Sequence, residues 1–350
     1  MRETCEFRIP EEFISLLSNP PAHEILGIGT RLRVHKLKVP VNSDVFREIG
    51  AVNRELRRRG RVLFTYWEIR RSYEPDELAA AELFRMYITS VFEPAGEQCG
   101  TIYDETRACE ICGASPPQIS ALRLDLRRVP RADITRTIAN EAVVSERFVE
   151  AFHKADLSGA DFDAVQHAPR FDDESLDLSS VPSGRELLKR ACDEGVELNS
   201  DEFWRWINKR AQKEVVERAH REAIENKARS YQKRAARRHL PSVFQLNINS
   251  ARLGVIAPTR TGLDPFDGDP DGEYRCPRGD TIGFRFLTEL TVSRDDWDRA
   301  DISLTKQCIG VPRRGGLITP WRGILVSPKF RELVLREKFK GVSFEIAHFG

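Results

Sequence analysis

Residues 97–113 read EQCGTIYDETRACEICG, and this stretch decides what kind of fold the chain can have. Cys99, Cys109 and Cys112 fall within it, and the last two form a C-x-x-C followed by glycine. In such a knuckle the chain turns tightly enough for two thiolates to face one ion, and glycine supplies the positive φ the turn needs. A structural zinc ion takes four ligands in a tetrahedron. Three cysteines therefore leave one donor to be found elsewhere.

Cys5, Cys192, Cys276 and Cys308 are the remaining cysteines. Cys192 follows Leu187, Leu188 and Ala191 on a helical face and reads as core. Cys5 and Cys308 lie in strand-like segments and read as small buried apolar residues. Cys276 stands in EYRCPRGDTIG, where Cys-Pro-Arg-Gly has the form of a knuckle that lost its second cysteine. The expected zinc site is thus Cys99, Cys109, Cys112 and Cys276, with Asp280 a poorer substitute for the last. An ion held there would tie residue 99 to residue 276 and make the two halves one body. The alternative is a relic: a knuckle-shaped turn held by hydrogen bonds, its thiols without metal. A redox C-x-x-C opens a helix, and Gly113-Ala-Ser-Pro-Pro117 forbids a helix there.

Outward from the cysteines the chain reads as α+β. RLRVHKLKV (31–39) alternates as a half-buried strand does, and Ser43 caps a helix whose apolar residues recur at helical spacing up to Gly60. RVLFTYWEI (61–69) and RMYITSVF (85–92) are rich in strand formers, and Pro75 opens a helix between them through DELAAAELF. ALRLDLRRV (121–129) alternates again. SERFVEAFHKADLSGADFDAV from Ser145 aligns without a gap on SPKFRELVLREKFKGVSFEIA from Ser327, matching Phe148 to Phe330, Gly159 to Gly341 and Phe162 to Phe344. The pairing points to an internal duplication of a capped helix and the strand it feeds, against the alternative of a generic unit met twice.

Between these copies the composition changes. PRFDDESLDLSSVPSGRE (169–186) reads as a linker, and a capping box at Asn199–Glu202 opens one long helix that runs to about His239. Its end, KARSYQKRAARRH (227–239), carries Lys227, Arg229, Lys233, Arg234, Arg237 and Arg238 without an acidic residue. That end is either a solvated helix terminus complementing the dipole or a phosphate-tracking nucleic-acid reader. The division is therefore 1–168, an N-terminal α+β part with the knuckle; 169–241, linker and helical insertion; and 242–350, a C-terminal α+β part packed with the first.

With 55 basic and 54 acidic residues, overall charge selects no nucleic-acid or membrane partner. No stretch approaches the ~20 apolar residues of a membrane-spanning helix, and no secretory signal pattern precedes Glu11, so a cytoplasmic protein is expected. Asp267, Asp269 and Asp271 begin like a calcium loop, but Arg278 stands where the closing glutamate belongs, leaving an acidic turn. No paired-carboxylate or Ser/His/Asp arrangement can be assigned among the seven histidines and their neighbours.

GEQCGTIYDETRACEICG with the following RLDL, and the closing SPKF…KGVSFEIAHF, resembles a group of bacterial CXXCG-motif, zinc-ribbon-like proteins. More distantly it is similar to the double-CXXCG-motif immunity factors that act against contact-delivered toxins. Only Cys109–Cys112 is a complete pair here, a departure from the doubled pattern. The resemblance implies a zinc-stapled α+β binding protein without catalysis and does not itself identify a partner; a protein partner is expected, with a cognate toxin as the candidate. Trp297 and Trp321 are candidate anchors for such a partner, and a nucleic-acid-binding zinc-ribbon protein using helix 227–239 is the alternative.

Overall fold

The computed structural model describes residues 1–18, 20, 23–28, 32–109, 114, 116–170, 190, 192–196, 240–262, 264–266, 276, 281–282, 285–310 and 321–350. The expected linker after residue 170, the long helix with its six cations, and the acidic turn at 267–273 lie outside these residues.

The N-terminal unit follows from local chemistry. Strand β1 (Arg2–Pro10) alternates so that Cys5, Phe7 and Ile9 point inward, and helix α1 (Glu11–Ile14) turns the chain. Strands β2 (His23–Ile28) and β3 (Leu32–Pro40) follow. Helix α2 (Asp44–Arg58) is capped by Ser43, whose hydroxyl accepts the Phe46 N–H at 3.2 Å. Strand β4 (Tyr66–Ser72) completes an antiparallel sheet of order β2–β3–β1–β4. The 61–69 segment thus turns into strand only at Tyr66. Phe7, Ile49 and Leu63 are wholly buried between this sheet and α2.

Helix α3 (Pro75–Ala80) is shorter than its apolar run suggests, because Leu83 already belongs to strand β5 (Leu83–Ile88). Next come β6 (Val91–Phe92), β7 (Arg123–Leu124), β8 (Ile134–Thr137) and β9 (Ala142–Ser145). Helix α4 (Glu146–Lys154), β10 (Ala160–Ala164), β11 (Gln166–His167) and β12 (Val243–Ile248) follow. The second half holds β13 (Thr261–Gly262), β14 (Thr281–Ile282), β15 (Arg285–Phe286), β16 (Leu290–Val292), β17 (Ile302–Gly310) and β18 (Trp321–Val326). It ends with helix α5 (Pro328–Arg336) and β19 (Val342–Phe349).

Two larger sheets result, of order β10–β12–β9–β8–β6 and β14–β17–β18–β5–β19–β16. They repeat one design. In each, a strand feeds a Ser-capped helix, and the helix feeds a strand through glycine in the left-handed region, Gly159 at φ +99° and Gly341 at φ +105°. Ser145 accepts the Phe148 N–H at 3.2 Å and Ser327 the Phe330 N–H at 3.1 Å. The strand between these two comes from the other half of the chain. β12 lies between β9 and β10, whereas β5, from before the first helix, lies between β18 and β19.

The registers correspond residue for residue. Phe244 faces Val144 and Ala164 as Phe84 faces Val326 and Ile346; Leu246 faces Phe162 as Met86 faces Phe344. The repeats have therefore exchanged their middle strands. One common core results, with the rings of Phe148 and Phe330, one from each helix, 6.0 Å apart between centroids.

Two expectations are corrected here. Residues 121–129 form only the two-residue strand Arg123–Leu124: Leu122, Leu124 and Leu126 are buried, but Asp125 turns the backbone and binds its own neighbour Arg127. Cys192 is exposed rather than in the core.

Candidate metal centre

Cys109 sits at the end of a hairpin. The Ile119 N–H donates to Ile102 O, the Asp104 N–H to Pro117 O, and the Cys109 N–H to Ala114 O, at 2.9, 2.8 and 3.0 Å. This ladder holds Cys109 at the tip, where its sulfur meets that of Cys276 at 3.5 Å, across 167 positions of sequence. Cys308 and Ala114 are buried in the same cluster. Cys308 lies on β17 just past a register shift against β18 between Leu304 and Cys308.

A sulfur separation of 3.5 Å is far longer than a disulfide bond of about 2.05 Å. It is close to the ~3.8 Å that two thiolates would have on one tetrahedral ion with Zn–S near 2.3 Å. The donors fit zinc in kind, since soft thiolates suit it. Among the described residues no three His, Cys, Asp or Glu side chains converge closely enough to hold an ion. Cys112 lies outside them, as does Asp280.

Two arginines stand beside Cys308. Arg322 is the cross-strand partner of Cys308, and Arg252 stands close enough to interact with both. Burial and the like charge of Arg322 push the Arg252 guanidinium below its ordinary range, while Cys308 acts in the opposite sense.

Cys99 lies apart from this cluster. It closes a tight turn, Glu97–Cys99, with Gly100 at φ +90°. Burial pushes its thiol up to about 12, opposed by the backbone amide of Asp125. The turn is anchored by Glu141, which accepts the Gly96 N–H at 2.9 Å and the Tyr103 hydroxyl at 2.5 Å. The structure therefore brings Cys109 and Cys276 together, adds Cys308, and places Cys99 elsewhere.

Beside the cluster opens a cleft of about 1010 Å³, walled by β4, β5, β12, β15 and β18. Arg85, Arg252, Arg285 and Arg322 line it with Tyr66, Tyr87 and Trp321. Trp321 is partly exposed there, whereas Trp297 packs on Phe349 and donates its indole N–H to Ala300 O at 3.2 Å. Nothing in the linear sequence marks this cleft, because its walls come from distant segments. Among the described residues no helix is long and apolar enough to cross a membrane. No protein-family model matches the chain, and no curated protein or solved structure matches it either.

Proposed function

We propose that the chain is a non-catalytic protein-binding protein whose knuckle hairpin is pinned to its second half by a structural zinc ion. The observation that carries this is the 3.5 Å approach of Cys109 to Cys276. In this reading Cys109 and Cys276 are donors, Cys308 packed beside them is the candidate for a third, and Cys112 follows Cys109 by the knuckle's own spacing. Zinc in an all-thiolate site is saturated by protein and serves as a cross-link. Its effect here is to fix the hairpin that forms one wall of the cleft, since Tyr103 and Gln118 both belong to it and both line that wall.

The binding face of this reading is the cleft, with Trp321 at its wall as an aromatic anchor of the kind that dominates interfaces. The partner proposed is a protein, with a cognate toxin as the candidate that the likeness to immunity factors suggests. The test is co-purification from the native host with Trp321→Ala alongside. A stable stoichiometric partner encoded nearby, weakened by the substitution, is expected; the absence of any stable protein partner would contradict the proposal.

A further inference from the structure

We infer that the cleft recognises a carboxylate on an apolar or aromatic body, and that Arg85 is its anchor. This deepens the binding-protein reading and rests on it for biological purpose, though not for chemistry.

Arg85 is only 8% exposed, yet it lines the cleft. Its guanidinium carbon lies 4.2 Å from the centre of the Tyr87 ring and 4.1 Å from that of Phe286. Rings attract a cation but leave its five in-plane N–H donors without a lone pair. Among the described residues no carboxylate is within ion-pair distance of Arg85 and no group accepts a hydrogen bond from its side chain. The nearby Glu345 is engaged by the Tyr87 hydroxyl at 2.8 Å and by Arg71 at 3.6 Å. Burial pushes the Arg85 guanidinium below its ordinary range, yet arginine does not give up its proton in proteins. A buried positive charge with open donors is an unfinished interaction, and an oxyanion is the chemistry that completes it.

The relation between the repeats sharpens this. The residue equivalent to Arg85 on β12 is Gln245, since Arg85 faces Leu325 as Gln245 faces Val143. Gln245 also lines the cleft, but its amide is closed off by Gln118 of the knuckle hairpin through reciprocal bonds of 3.0 and 2.8 Å. One member of the pair is satisfied internally, and the other faces the space.

Size and charge select the ligand class. Arg252 and Arg285 line the cleft and also lack a described carboxylate partner; with Arg71, Arg136 and Arg322 in the same lining stand Glu68, Glu93, Glu97 and Glu141. Such a balance suits a single negative charge better than a polyphosphate. Ile69, Leu246, Ile309 and Phe286 supply apolar wall, and Arg285 lies over the Tyr66 ring at 4.3 Å. A planar carboxylate matches the guanidinium fork in both its oxygens.

The test is titration calorimetry on the full, metal-loaded chain with N-acetylphenylalanine, its uncharged amide, phenyl phosphate, and a doubly capped Phe-Glu-Phe peptide. Binding of N-acetylphenylalanine with the amide at least tenfold weaker is expected. Arg85→Gln should reduce affinity about 10- to 100-fold, the range for a lost charged hydrogen bond. Because Arg85 is buried, Arg285→Gln serves as an exposed second variant, expected to weaken binding by a smaller factor with an unchanged unfolding transition. If the capped peptide binds more tightly than the free acid, the carboxylate is a side chain of a partner; the reverse order assigns a terminal or small-molecule carboxylate. Tighter binding of phenyl phosphate, no binding of either carboxylate, or affinity unchanged in both variants would each overturn the inference. A chain that captures its protein partner but none of these probes would sink the carboxylate anchor alone. Probe binding without any protein partner would sink the protein-binding reading alone.

Discussion

Asp133 and Asp301 do the same work at corresponding corners of the two repeats. Asp133 accepts the Ser145 hydroxyl at 3.2 Å and the Lys340 N–H at 3.0 Å; Asp301 accepts the Ser327 hydroxyl at 2.6 Å and the Ser158 N–H at 3.1 Å. Each aspartate thus steadies the helix cap of its own repeat and the post-helix turn of the other. Removing Asp133 leaves the Ser145 hydroxyl, the Arg147 guanidinium and the Lys340 N–H short of a partner; removing Asp301 leaves the Ser327 hydroxyl and the Ser158 N–H and hydroxyl short. Asp133→Ala and Asp301→Ala should each destabilise the fold by about 1–3 kcal/mol in denaturant unfolding. Asp301→Ala and Ser327→Ala should combine non-additively, since they share one bond.

Gly159 and Gly341 provide a stricter test of the repeat geometry. Both have φ in the left-handed region, and a Cβ at either would run into a backbone carbonyl of the opposite repeat's corner, Ile302 O for Gly159 and Ile134 O for Gly341. Backbone cannot yield as a side-chain tip can. Gly159→Ala and Gly341→Ala should each cost more than about 2 kcal/mol. Gly60, at φ +69° with open space around it, provides the comparison. Gly60→Ala should cost only about 1 kcal/mol in the same unfolding experiment.

His167 sets a pH dependence. Its Nδ1 accepts the Leu126 N–H at 3.2 Å, and burial holds its pKa below the ordinary 6.5, against the pull of Asp125. A depressed folded-state pKa means that protons bind the unfolded chain more readily. The stability His167 contributes is therefore complete above about pH 6.5 and is lost as pH falls toward its lower folded value. The unfolding midpoint should decline across that window, and His167→Gln should flatten the decline. An equal slope in the variant would remove His167 as its source.

The helix copies were legible in the sequence because everything that defines them is local: a capping serine, a phenylalanine three residues on, and a left-handed glycine. The corner residues were also there to be seen. Residues 131–135 read RADIT and 299–303 read RADIS. Their separation, 168 positions against 182 for the helices, hides them from a gap-free comparison, and the longer β17–β18 hairpin absorbs the difference. The exchange of β5 and β12 left no local mark, since Phe84 and Phe244 alternate with their neighbours as any half-buried strand would. Cys308 was hidden similarly. LTKQCIGV reads as ordinary strand, and only the tertiary packing of segments far apart in the chain sets that sulfur beside Cys276 and Cys109.

Elemental analysis of the purified chain is the direct measurement of the metal cross-link. One zinc per chain is expected, retained in Cys99→Ser and lost in Cys276→Ser, with Cys308→Ser lowering occupancy and Cys192→Ser leaving it unchanged. Full zinc content in Cys276→Ser, or a wild-type chain that takes up no zinc when it is supplied, would contradict a staple between the knuckle and the second half.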